Sequence, residues 1–196
     1  MRFQWITALL LAAGVQWMQA AAPPGQSTVK NDNAEVFYHL GLNYYHGLGD
    51  KPDYARALEN FRKAADLGLA KAQGMIGQCH LNGRGVPRDP RQAAVWLTKA
   101  ATGGDMIAQF NLATLYTAGE GVPKNPAHAR QLYLKAAAQG HTAAMANIGV
   151  LYETGMGVKQ DFAEAYRWYK MAAKPGLPTA QCNLGQLYAT GRGVTA

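Results

Sequence analysis

Five histidines, two cysteines and one serine–lysine pair are the side chains here with the plainest capacity for chemistry. His39, His46, His80, His128 and His141 could ligate a metal, which needs three or four donors converging at about 2.0–2.3 Å. No two of them stand as His-x-x-x-His. His39 and His46 are seven residues apart and could share a helix face, but a third ligand is missing. These histidines are expected to be structural or surface groups, with no metal and no cofactor. Ser27-Thr28-Val29-Lys30 has S-x-x-K spacing, in which a lysine assists a nucleophilic serine. That chemistry needs a rigid helix and a partner motif such as K-T-G, and the sequence contains no K-T-G. No catalytic residue is assigned.

The elements that must carry these residues are set by a period. Gly47, Gly83, Gly119, Gly155 and Gly191 are each 36 residues apart, as are Gly49, Gly85, Gly121, Gly157 and Gly193, and Gly68, Gly104, Gly140 and Gly176. Paired alanines recur in the same register at Ala64-Ala65, Ala100-Ala101, Ala136-Ala137 and Ala172-Ala173. Such self-similarity is the signature of a repeat array. Within one unit, Ala72, Ile76, His80 and Gly83 lie at helical spacing, predicting a helix A that a glycine closes. Asp53, Asp89, Asn125 and Asp161 then cap a helix B, and Pro90 and Pro126 follow at the first helical position. Small residues in mid-helix A, at Gly41, Gly77, Ala113, Gly149 and Gly185, imply close helix approach, with the alanine pair of helix B expected to meet them. Tyr44, Tyr116, Tyr152 and Tyr188 are expected to fill the larger gaps.

This pattern resembles the Sel-one-like repeat family, relatives of the tetratricopeptide repeats. The fourth repeat carries the resemblance best, through Ala144, Ile148, Gly149, Tyr152, Gly155, Gly157, Val158, Asp161, Ala165, Trp168, Tyr169, Ala172, Ala173 and Gly176. The resemblance implies an all-α, right-handed α-α superhelix, a solenoid of about four and a half 36-residue helix-pair repeats at 34–69, 70–105, 106–141, 142–177 and a partial 178–196. Departures are Leu48-Gly49-Asp50 in the first loop, His80 for tyrosine, and Met171 where Lys63, Lys99 and Lys135 stand elsewhere. Some secreted members of the family carry a cysteine pair inside each repeat, which this chain lacks. Cys79 takes the position of Leu115, Leu151 and Leu187, and Cys182 that of Ala146 and Phe110. With neighbouring helices about 8–10 Å apart, three repeats separate the two by roughly 25 Å, and a disulfide needs Cα atoms within about 7 Å. No intramolecular bond is expected.

In a helix-pair solenoid the A helices line the concave face. Lys71, Met75 and Gln78 lie opposite the core stripe. The resulting ladder pairs His39 with Leu42, Met75 with Gln78, Asn111 with Thr114, Asn147 with Val150, and Asn183 with Gln186. An amide offers both a donor and an acceptor, so Asn111, Asn147 and Asn183 suit the backbone of an extended peptide. Equally, they could bond within the scaffold, between neighbouring A helices. Lys63, Lys99 and Lys135 fall near the C-terminal end of helix B, where they complement the helix dipole; the alternative is an anionic ligand site.

Met1 and Arg2, an apolar stretch from Trp5 to Val15 and Ala20-Ala21-Ala22 read as a signal peptide over 1–22, with cleavage after Ala20 or Ala22. No cysteine stands there to anchor a lipid. Residues 23–33, rich in Pro, Ser and Asn, read as a disordered linker. Removing Arg2 leaves 18 basic against 12 acidic residues, +6. They are scattered with no run of five, which speaks against nucleic-acid binding. Apolar residues at 48% and charged residues at 16% suit a packed core. The expectation is a periplasmic or secreted, non-enzymatic scaffold that binds a protein or peptide through Met75, Gln78, Asn111, Thr114, Asn147, Asn183 and Gln186, without stable membrane insertion. The alternatives are a β-lactam or cell-wall-related hydrolase or binding protein, implied by cysteine-rich family members, and an inhibitor of another exported enzyme.

Overall fold

The computed structural model describes residues 24–193, with side chains from residue 31 onward. The signal peptide expected over 1–22 lies outside the described residues. Nine α-helices and no strand are present among those described: α1 (Pro24–His46), α2 (Tyr54–Asp66), α3 (Ala70–Asn82), α4 (Pro90–Thr102), α5 (Met106–Ala118), α6 (Pro126–Ala138), α7 (Thr142–Thr154), α8 (Phe162–Ala173) and α9 (Pro178–Thr190). Each helix packs on the next in chain order, and α3 also touches α5 across one repeat. Odd-numbered helices are therefore the A row of a solenoid and even-numbered helices the B row. None of the described helices is long and apolar enough to cross a membrane.

The helix ends follow from single residues. The side chains of Asp53, Asp89, Asn125 and Asp161 accept first-turn amides of α2, α4, α6 and α8, supplying partners that the helix itself cannot. Gly83, Gly119, Gly155 and Gly191 close the A helices in the left-handed conformation, at φ between 64° and 76°, where a Cβ would strain the backbone. The loop glycine two residues on serves the stack instead. A Cβ on Gly157 would lie 2.6 Å from the Ala127 nitrogen, so each loop rests on the first turn of the preceding B helix. Gly49 meets nothing within 4 Å, because among the described residues no helix precedes α1. That frees the first loop to depart from the pattern, with Leu48 70% exposed.

Three expectations need correcting. Residues 24–33 are helical rather than a linker, since α1 begins at Pro24. No proline interrupts residues 25–51, and a helix anchored by buried Ala34 propagates backwards at one hydrogen bond per residue. The mid-helix glycines face a large B-helix residue, not the alanine pair: a Cβ on Gly41 would stand 2.5 Å from the Phe61 ring, on Gly77 2.7 Å from Leu97, and on Gly149 2.5 Å from the Tyr169 ring. The alanines pack elsewhere, as where Ala172 meets Ala146 and Ala180 between two A helices. The tyrosines buried in the core are Tyr45, Tyr133 and Tyr169, while Tyr44, Tyr116 and Tyr152 pack half-buried against it and Tyr188 is exposed.

Both cysteines are free thiols. Cys79 is buried among Ile76, Phe61 and Ala72, and burial pushes its thiol up to about 11. Cys182 is exposed on α9.

Candidate functional site

The A helices turn one uncharged row toward a common face over the C-terminal half of the solenoid. On α5 this row runs Ile107, Asn111, Thr114, Ala118; on α7 it runs Ala143, Asn147, Val150, Thr154; on α9 it runs Thr179, Asn183, Gln186, Thr190. All of them are half-buried or exposed. On the N-terminal helices the row carries charge, but Glu35 is bridged by Lys71 at 2.6 Å with His39 at 3.8 Å. Met75 lies partly buried against the first core cluster, and Gln78 is half-buried.

Two of the predicted binding residues, Thr114 and Asn147, meet at one cleft, whereas Met75, Gln78, Asn111, Asn183 and Gln186 do not line it. Thr114, Thr117 and Ala118 of α5, Asn147, Val150 and Leu151 of α7, Tyr133 of α6 and Met156 of the next loop enclose about 230 Å³. The hydroxyls at its rim are largely spent on the scaffold. Thr114 Oγ1 donates to the Phe110 carbonyl at 3.1 Å and lies 3.1 Å from the Tyr133 hydroxyl, and Thr117 donates to the Ala113 carbonyl at 2.9 Å. Threonines bonded back in this way leave their methyls to the cleft, which is therefore mainly apolar. The side chains of Asn111, Asn147 and Asn183 make no hydrogen bond among the described residues, although Asn183 lies near the Tyr169 hydroxyl.

Sequence reasoning missed the residues that reach this face from behind. Tyr133 and Tyr169 cross under α5 and α7 because Ala113 and Gly149 leave room, and each delivers a hydroxyl between neighbouring A helices. Tyr169 donates to Glu153 Oε2 at 2.5 Å. Burial first, and the Glu153 carboxylate second, hold that phenol well above the ordinary tyrosine range, so Tyr169 keeps its proton. The equivalent positions Phe61 and Leu97 have no hydroxyl. Glu153 was legible in principle, standing three residues beyond Val150 and beside Thr154 at the edge of the uncharged row.

Larger hollows, of about 660 and 560 Å³, lie along the loop edge around Asp53 and around Asp161. Their acids already cap α2 and α8, so they have less to offer a ligand. The lysine row is also engaged: Lys63 pairs with Glu59 at 2.7 Å, Lys99 lies 4.5 Å over the Trp96 ring, and Lys63, Lys99 and Lys135 all sit in a last helical turn. His141 accepts the Ala144 amide through Nδ1 at 3.1 Å, and Tyr116 stands edge-on to His128. Among the described residues no three His, Cys, Asp or Glu side chains gather as metal donors.

An α-α solenoid with an open face of amides and aliphatic side chains is a scaffold. The Sel1 repeat pattern matches residues 38–69, 70–105, 107–141, 142–176 and 178–196, and the chain belongs to the Sel1 repeat family. Solenoids of this family are in general protein–protein interaction scaffolds. A Sel1 repeat protein from Oxalobacter formigenes is 38% identical, with a TM-score of 0.78 over 83% of this chain and 66% of its own. A protective antigen of uropathogenic Escherichia coli displaying an SLR fold is 34% identical, with a TM-score of 0.79 over 89% of this chain and 38% of the antigen. The rat DAP3-binding cell death enhancer 1 shares 49% identity over 43 residues, 22% of this chain and 8% of that protein. This chain thus spans a small part of that curated relative and less than two thirds of the two solved ones.

Proposed function

We propose that this protein is an exported, non-catalytic adaptor that holds an extended segment of a partner protein along the A-helix face of α3, α5, α7 and α9. The observation that carries the reading is the cleft between α5 and α7. It is apolar and open, is lined by the unpartnered amide of Asn147, and lies one helical turn from Asn111 on α5. An extended backbone needs alternating donors and acceptors, and an apolar side chain needs a hole. Met75, Gln78, Thr114, Asn183 and Gln186 extend the same row toward both ends. Export into the periplasm or beyond is supported by Arg2, the apolar stretch from Trp5 to Val15 and the alanines at 20–22.

The test is chemical crosslinking in intact cells with mass spectrometry, comparing wild type with the Asn111→Ala, Asn147→Ala, Asn183→Ala variant. A discrete partner lost by a variant of unchanged helicity supports the groove. Capture that ignores the three substitutions refutes it. An alkaline phosphatase fusion to the first 30 residues checks export, and an inactive fusion contradicts it.

A further inference from the structure

The clefts along the groove are not equivalent, and their differences specify a ligand. Moving one repeat on from the apolar cleft replaces Thr117 by Glu153, Tyr133 by Tyr169, Asn147 by Asn183, Val150 by Gln186 and Met156 by Arg192, whose guanidinium lies over the Phe162 ring. The aliphatic hole thus gives way to a polar, hydrogen-bonding step in which Glu153 is the one acid. Glu153 spends one oxygen on Tyr169. No cation lies within ion-pair distance of it among the described residues, in contrast to Glu35, Glu59, Glu120 and Glu164. It is half-buried, so its charge is poorly screened compared with a surface acid. Glu153 is the sole acid on α3, α5, α7 and α9, in a chain of net charge +7.

We infer that the groove selects an extended peptide carrying an aliphatic side chain in the α5–α7 cleft and a lysine or arginine about three residues away, facing Glu153 between α7 and α9. The spacing follows from two lengths. Neighbouring helices are about 8–10 Å apart, and a peptide in the extended polyproline II conformation advances about 3.1 Å per residue with every third side chain on one face. A charge-assisted bond to the remaining carboxylate oxygen of Glu153 supplies the selectivity. About 230 Å³ admits a leucine, isoleucine or methionine, whereas a charged side chain there would lose hydration with nothing to compensate it.

This inference rests on the groove reading above, and the experiment separates the two. A random peptide library displayed on phage is panned against the full chain, and enriched peptides are synthesised and measured by fluorescence anisotropy. Three variants are compared: Glu153→Gln, Ala118→Trp to fill the cleft, and Val150→Asn should the tryptophan perturb folding. The expected result is enrichment of an aliphatic and a basic residue at fixed separation. Glu153→Gln should weaken such peptides by about tenfold, the scale of one charge-assisted bond. It should leave unchanged the analogue in which glutamine replaces the basic residue. Ala118→Trp or Val150→Asn should weaken both. Enriched peptides without the basic residue, without fixed spacing, or indifferent to Glu153→Gln overturn the inference while the cleft variants still vindicate the groove. If no enriched peptide responds to either cleft variant, the groove reading falls with it.

Discussion

At the scale of single residues, the groove depends on what lies behind it. Tyr133 and Tyr169 are helix B residues whose hydroxyls surface between A helices. Nothing in their local sequence announces this, because the path they take is defined by what Ala113 and Gly149 lack. The asparagine ladder was legible from spacing, but its surroundings were not, since Asn183 lies near the Tyr169 hydroxyl while Asn147 opens on a cleft. His141 offers a residue-scale prediction. It caps α7 through an unprotonated nitrogen, and its ring stacks on Phe110 at 4.3 Å. Burial holds His141 and His80 below the ordinary histidine range. The unfolded chain therefore binds more protons as pH falls. The stability these groups contribute is present above about pH 6.5 and is lost as pH drops through their depressed folded values. The urea midpoint should fall between about pH 7.5 and pH 5.5, and His141→Asn, which keeps a capping acceptor, should flatten that decline. An unchanged slope would remove His141 from the account.

At the scale of helices, sequence was most informative where backbone geometry leaves few choices. Only glycine reaches positive φ among the described residues, so a 36-residue row of glycines marks helix ends. Aspartate and asparagine before a helix mark its start for an equally local reason. The exception was α1, whose polar first turns have the composition of a linker and are helical through continuity with the packed part. Close approach supplies the element-scale prediction. Gly149→Ala gains about 1 kcal/mol of helix propensity but drives a Cβ to 2.5 Å from Tyr169. Overpacking of that kind costs about 1–3 kcal/mol, so a net loss is expected. Gly185→Ala, with nothing within 4 Å, should gain up to about 1 kcal/mol. Equilibrium urea unfolding of the two single variants checks the opposite signs. Equal effects would mean that the small residues do not mark helix contact.

For the whole molecule, nearest-neighbour packing makes the repeats nearly interchangeable as structure and unequal as surface. Solenoid stability is approximately a sum over repeats and their interfaces. Deleting residues 106–141 joins Asp105, itself the cap of α5, to α7 in the place of His141. The shortened chain should keep its helicity per residue by circular dichroism and unfold cooperatively at a lower urea midpoint, yet lack the cleft. Loss of cooperative unfolding would contradict an interchangeable stack. The repeats that fix the fold were evident from glycine spacing, whereas the uneven chemistry along the groove comes from positions free to vary, where no period helps.

The central claim, that partners are held on the A-helix face, is tested most directly by a photo-crosslinking amino acid placed at Val150 in the groove and at exposed Val95 on α4. The account predicts that Val150 traps a discrete protein in intact cells and Val95 does not. Trapping from Val95 with none from Val150 would contradict it.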